Sequence, residues 1–406
     1  MTGSWKSKFI AVATGQMMSL IGSSAVQFAL IWWITAETGS AVMLGLAGVI
    51  NFLPAMLLSP YAGIVADRFH RKYICIIADI GIGIAALIFA VLLYFFDLPV
   101  WTALVILFVR SIGVTFHQPA IKAMIPQFVP EEALVQVNGW NQLMSSGSLL
   151  LGPALGAVLY AAFTMPVILL TDLICALVAS GLLATLTIEK VPRRDDGEKR
   201  NSFRELKEGI LVYREDRLLG TMVLIETACM IFYSPTVTLY PLMTGEHFMG
   251  TAWHASAVEI ATAVGMMASA TLFGSVLKVK RLLLSSYIGL LGLGVIPLLC
   301  GLLPPTLSAW PIFALLCAFV GVFFNVHGVP LVSYMQSTIA PEKMGRAFSL
   351  SAVLGSLTMP VGTIFAAPIA EAIGVANWFR IAGIAITVIS LIGIALHQRL
   401  ENRQTA

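Results

Sequence analysis

The sequence predicts an all-α membrane protein, with twelve transmembrane helices arranged as two pseudo-symmetric six-helix bundles. Three observations carry this. Hydrophobic residues make up 58% of the 406 residues and charged residues only 11%, under half the ~25% of a water-soluble domain. Apolar runs long enough to cross a hydrocarbon core of roughly 30 Å recur along the whole chain. Lys and Arg are confined almost entirely to alternate connections between those runs.

The expected spans are approximately 9–35, 44–66, 73–96, 100–121, 136–160, 166–187, 218–242, 256–277, 282–303, 310–335, 347–369 and 377–397. In lipid every backbone polar group must be satisfied within the protein, so runs this long and uniformly apolar are read as helices. The first follows Lys6 and Lys8 but is too long for the apolar core of a secretion signal, and it is followed by further spans, so it reads as a retained helix. The second and third flank a short basic turn, Gly63-Ile64-Val65-Ala66-Asp67-Arg68-Phe69-His70-Arg71-Lys72. The fourth carries Arg110 about 15 Å from its start, at 1.5 Å per residue. The sixth is followed by the one long polar stretch, Glu189–Arg217. There Ser202 and Glu205 form a capping box, and Phe203, Leu206, Ile210 and Leu211 share the face of a short helix expected to lie on the membrane surface. This stretch divides the chain into an N-terminal bundle (1–188), a linker (189–217) and a C-terminal bundle (218–406).

With the N-terminus placed in the cytoplasm, 22 of the 24 Lys and Arg residues fall on the inward side, Arg110 and Arg380 being the exceptions. By the positive-inside rule this predicts a multi-pass protein of the cell membrane with both termini cytoplasmic. The halves repeat one another. Gly63 is followed four residues later by Asp67 and then by Arg71-Lys72, and Gly274 by Lys278 and then Lys280-Arg281. Pro130-Glu131-Glu132 after span four matches Pro341-Glu342-Lys343 after span ten. Duplicated halves of this kind are how many secondary transporters are built.

Polar residues inside the spans are the functional candidates, because each is costly there. Arg110 is the costliest. His117 lies seven positions on, along the same helical face. Gln16, Ser19, Ser23 and Gln27 form one polar stripe on span one. They offer Arg110 partners, or a cavity wall that binds ligand without charge selectivity. Asp79, Asp172, Glu226 and Glu259 are the acids within or at the edge of the membrane. A carboxylate withdrawn from bulk water suits the loading and release of a proton. Met230, Tyr233 and Tyr240 share the Glu226 face, while span ten supplies Phe324, Asn325 and His327. An aromatic, Met-containing lining suits a bulky lipophilic ligand. The five cysteines all lie in apolar spans without C-x-x-C spacing, which reads as packing.

The turn between spans two and three, G-x-x-x-D-R-x-x-R-K, resembles the signature loop of the major facilitator superfamily. Arg110-Ser111-Ile112-Gly113 resembles its helix-four motif. Ser148 through Gly152, Pro153, Gly156 and Ala157 resembles its antiporter motif on helix five, with Ser148 and Ala157 where glycines are usual. Within the superfamily the chain looks most like the macrolide-efflux branch, through Gly15-Gln16, Thr38-Gly39-Ser40-Ala41, Leu98-Pro99-Val100-Trp101, Phe116-His117-Gln118-Pro119-Ala120, Gly345-Arg346-Ala347-Phe348 and Gly374-Val375-Ala376-Asn377-Trp378-Phe379.

The resemblance implies the major facilitator fold and export of lipophilic, macrolide-like drugs by proton antiport and alternating access. The first, fourth, seventh and tenth helices would line the cavity. Glu226 is then the preferred proton carrier, with Arg110, Asp79 and Asp172 as further coupling residues. Gly63, Asp67, Arg68, Arg71 and Lys72 would gate the inward side, helped by the bend at Gly152, Pro153 and Gly156. Gln16, Ser23, Gln27, Met230, Tyr233, Phe324, Asn325 and His327 would contact substrate. Export of an endogenous metabolite or siderophore is the alternative. The expected partners are the bilayer, protons and a small lipophilic substrate, with no cofactor, metal or nucleic acid. Some members of the branch work beside an ATP-binding partner, which the sequence leaves open. A primary pump is disfavoured, because no G-x-x-x-x-G-K-[ST] stretch occurs, and so is an enzyme, because no His/Asp/Glu cluster lies at a membrane face.

Overall fold

The computed structural model describes residues 5–130, 133–187, 210–275 and 279–405. Each expected span is a helix: α1 (Trp5–Thr38), α2 (Ala41–Arg68), α3 (Arg71–Phe95), α4 (Thr102–Met124), α5 (Leu134–Ala162), α6 (Met165–Ala184), α7 (Arg217–Thr238), α8 (Ala252–Ser275), α9 (Leu282–Leu302), α10 (Trp310–Thr338), α11 (Pro341–Ile373) and α12 (Val375–Thr405). Among the described residues eleven helices have the length and hydropathy to cross a membrane, and the C-terminal part of α5, Leu150–Ala162, is a shorter apolar stretch. Large apolar side chains such as Ile77, Leu224 and Phe365 stand exposed. In water such a surface invites association, whereas lipid solvates it. The expected capping box and surface helix around Ser202–Glu205 lie outside the described residues, as do Glu131, Glu132 and Lys278.

Helix ends follow local chemistry. Gly39 (φ 56°) and Gly374 (φ 89°) stop α1 and α11 in the left-handed region, where an L side chain is strained. The Gly39 amide donates to the Thr35 carbonyl and that of Gly374 to the Ala370 carbonyl, both at 2.9 Å. Asp216 caps α7, its Oδ1 accepting from the amides of Leu218 (2.9 Å) and Leu219 (3.1 Å).

Backbone proximity groups the chain into two compact units. One is built from Met1–Gly39, Val49–Asp196 and Ala252–Ile260, the other from Ser40–Gly48, Gly197–Thr251 and Ala261–Ala406. In the first, α1 packs on α5 and α6, and α3 on α4 and α6; the start of α8 adds Ala252 and Ala255 to a cluster with Phe28, Trp32 and Ala157. In the second, α7 packs on α11 and α12, and α9 on α10 and α12. Each pairing of the second unit is a pairing of the first moved on by six helices, so the repeat read from the loops extends to the packing.

Candidate functional site

In the first unit the buried cation is paired. Arg110 forms an ion pair with Asp172 of α6, and the two side chains are 6% and 1% exposed. Arg110 Nη2 also donates to the Ser23 carbonyl of α1 at 2.8 Å, and Ser23 Oγ donates to Asp172 Oδ1 at 3.3 Å. Gly22 makes this convergence possible: a Cβ there would collide with Cys175 of α6, so only glycine lets α1 close on α6 one turn from Asp172. The stripe on α1 supplied a partner for Arg110, but through the Ser23 backbone. The charge partner is Asp172, which the sequence offered as a separate acid.

A second polar group lies on the same face of α4. His117 Nε2 is 3.3 Å from Gln16 Nε2 of α1 and 3.6 Å from Asp79 Oδ2 of α3. Gly113, between the two functional positions of α4, faces the Ile82 side chain and the Ala78 carbonyl of α3, so a side chain there would have to displace Ile82. Gln27 and Ser19 are half-buried and Gln16 is buried.

The second unit holds one chain of contacts across three helices. Glu226 of α7 lies 3.1 Å, through Oε1, from His327 Nε2 of α10; His327 Nδ1 lies 2.8 Å from Ser286 Oγ of α9. His327 is 3% exposed and Glu226 28%, so Glu226 is the wetted end. Close by, Tyr233 stacks on Phe324 with ring centroids 6.2 Å apart, and Met230 is half-buried. Asn325 faces elsewhere, donating to the Met266 carbonyl at 2.6 Å and Ser269 Oγ at 3.0 Å on α8. Among the described residues no group of three or more His, Cys, Asp and Glu could hold a metal ion.

The basic turn after α2 works on helix ends. Arg71 donates to the carbonyls of Ala66 (3.1 Å) and Ala123 (2.7 Å), and Lys72 to those of Ala184 (2.8 Å) and Leu186 (2.7 Å). Cations there answer the unpaired carbonyls and partial negative charge at the ends of α4 and α6. Arg68 is exposed, and the Asp67 side chain lies outside the described residues. At Gly63 the helix surface is open: a Cβ there meets nothing within 4 Å among the described residues. Gly152 and Gly156 do mark a close crossing. Side chains there would strike Ser24 and the Ala25 carbonyl of α1, and Pro153 lies between them inside α5.

Two features went unread in the sequence. One is Ser286, the second of two adjacent serines in a helix of leucines and glycines, with no periodic signal. The other is an apolar cavity of about 680 Å³ bounded by α2, α3 and α4, lined by Phe69, Tyr73, Ile77, Ile112, Phe116 and their neighbours. Those residues satisfy the apolar pattern of ordinary membrane helices, so nothing set them apart.

Two duplicated sets of helices, each with polar groups sequestered at helix crossings, define a multi-pass membrane transporter. Its chain matches the Major Facilitator Superfamily model over residues 12–359 and belongs to that family. Within it the chain falls in the macrolide-efflux branch. It is 36% identical over 388 residues to Macrolide efflux protein A of Streptococcus pyogenes, covering 96% of this chain and 95% of that one. It is 34% identical over 324 residues to Macrolide efflux protein A of Enterococcus faecalis, covering 80% of this chain and 99% of that one. Among solved structures, nucleoside transporter NupG superposes with a TM-score of 0.69 over 96% of this chain and 98% of that one, at 10% identity; a likeness at that identity is one of fold.

Proposed function

We propose that this transporter exports lipophilic, macrolide-like compounds across the cell membrane by proton antiport, with both termini in the cytoplasm and Glu226 as the proton-carrying group. Similarity along nearly the full chain to proteins named for macrolide efflux supports the substrate class and the direction. The single structural observation that supports the coupling role is a contrast among acids. Asp172 is 1% exposed against Arg110 and Asp79 6% exposed beside His117, while Glu226 is 28% exposed beside a histidine. A carrier must meet water to load and release, and of these three Glu226 is the one that does.

Within the second unit, the Tyr233–Phe324 stack offers aromatic surface, which suits large apolar ligands. Asn325, engaged with α8, is a weaker contact on this reading than Phe324 or Tyr233. The inward gate remains the turn at Asp67, Arg68, Arg71 and Lys72. Transport by the chain alone in proteoliposomes would show that no ATP-binding partner is required.

Everted vesicles provide the test. A macrolide should collapse an imposed pH gradient in vesicles holding the wild-type chain and leave it intact with Glu226→Gln. Drug flux indifferent to the gradient would overturn antiport. Protection of a pump-deficient host against no lipophilic antibiotic would move the substrate class to an endogenous metabolite or siderophore.

A further inference from the structure

The bonding around His327 counts protons. Ser286 has a single hydroxyl hydrogen and two acceptors within reach on His327: ring Nδ1 at 2.8 Å and the backbone carbonyl at 2.9 Å. On the other side of the ring, Nε2 faces Glu226 Oε1 at 3.1 Å. Take the carboxylate as ionised and the imidazole as neutral. The bond to Glu226 then places the ring hydrogen on Nε2, which leaves Nδ1 bare. The Ser286 hydrogen turns to Nδ1, and the contact with the carbonyl has no hydrogen.

Now add one proton. Nδ1–H donates to Ser286 Oγ, whose own hydrogen turns to the His327 carbonyl. The second exchangeable hydrogen sits between Nε2 and Oε1. All three contacts are hydrogen bonds only in this loaded form. The two forms differ by one proton and by the direction of one hydroxyl.

We propose that Glu226 and His327 hold one exchangeable proton as a pair, and that Ser286 is the positioning residue whose hydroxyl turns between Nδ1 and the carbonyl as that proton comes and goes. This rests on the antiport reading and extends it: His327, first considered as a substrate contact, becomes the inner member of the carrier. Ser286 is fully buried, so the proton enters through Glu226. The register is fixed by Gly289, one turn beyond Ser286 on the same face of α9, where any side chain would run into the backbone of His327. Titratable groups packed around the pair are Cys229 on α7 and Tyr213 just before it, both electrostatically coupled to Glu226. Tyr287 on α9 lies behind, its ring 5.5 Å from that of His397 on α12, with Glu401 and Arg281 near His397. Cys229, Tyr213 and Tyr287 are of types ordinarily uncharged near neutral pH, and His397 belongs to a separate contact, 3.9 Å from Glu401.

The test is ¹⁵N-histidine NMR on the purified full-length protein, with His327 assigned by loss of its signals in His327→Gln. As pH rises through about 5 to 9, Nδ1 should lose its hydrogen while the hydrogen shared with Glu226 settles on Nε2. Ser286→Ala removes two bonds from the loaded form and one from the unloaded form. It should therefore lower the midpoint by about one pH unit, the size of one such bond, while Ser286→Thr restores it. A ring that keeps one tautomer throughout, or a Ser286→Ala midpoint equal to wild type, would overturn the pair. Flux in proteoliposomes separates the two readings. A ring that switches as described in a chain whose flux ignores the gradient keeps the pair and removes antiport.

Discussion

Asp172 on α6 neutralises Arg110 on α4 across a contact in which neither side chain is more than 6% exposed. Breaking such a pair from one side strands a charge, at a cost of about 3–5 kcal/mol, whereas replacing both members with apolar groups is often neutral. Arg110→Met and Asp172→Leu should each lower the melting temperature of the detergent-purified protein sharply, and the double variant should recover most of the loss. Gradient-driven export by the double variant is the expected companion result and leaves coupling to Glu226. A stable double variant that transports nothing would return coupling to the Arg110–Asp172 pair.

The two glycine motifs predict opposite outcomes for the same change. A Cβ at Gly156 would sit 2.6 Å from the Ala25 carbonyl, while at Gly63 it meets nothing within 4 Å among the described residues. Gly156→Ala should force α5 off α1 and cost about 1–3 kcal/mol. Gly63→Ala should be tolerated or slightly stabilising, since alanine favours a helix by about 1 kcal/mol over glycine. Thermal unfolding of the two variants in one detergent checks the contrast. Equal losses would mean that Gly63 has a packing role in another state of the transport cycle.

These cases show where the sequence was legible and where it was not. Span positions, the all-α class and the repeat followed from hydropathy and the placement of Lys and Arg, because lipid imposes those patterns along the chain itself. Arg110 stood out for the same reason, through its cost. Its partner did not: Asp172 comes from a helix about 60 residues away, and pairing between helices depends on rotation about their axes, which apolar periodicity leaves loose. Ser286 was illegible for a related reason. A serine is cheap in a membrane helix, and it gains a role only because Gly289 lets His327 come close.

Lys72 ties two carbonyls at the end of α6 to the start of α3, at 2.8 and 2.7 Å. Lys72→Ala leaves those acceptors to water and removes a cation from a helix C-terminus, a loss of about 1 kcal/mol. Lys72→Gln should recover part of it, since an amide still donates but carries no charge. Thermal melts at low and high salt separate the contributions, because only the charge-dependent share is screened. A wild-type advantage that does not change with salt would assign the contact to hydrogen bonding alone.

Orientation can be read with single cysteines. Asp97 lies in the turn between α3 and α4, and Lys280 in the turn before α9. On the proposed orientation, the first lies outside the cell and the second inside. Of the native cysteines, Cys75, Cys229, Cys300 and Cys317 are buried and Cys175 is half-buried, so the background for a polar maleimide is low, and Cys175→Ser lowers it further. Asp97→Cys should label in intact cells. Lys280→Cys should label only in everted vesicles or after permeabilisation. The reverse pattern would invert the transporter in the membrane, and proton antiport that exports drug would then have to run through gates opposite to those assigned here.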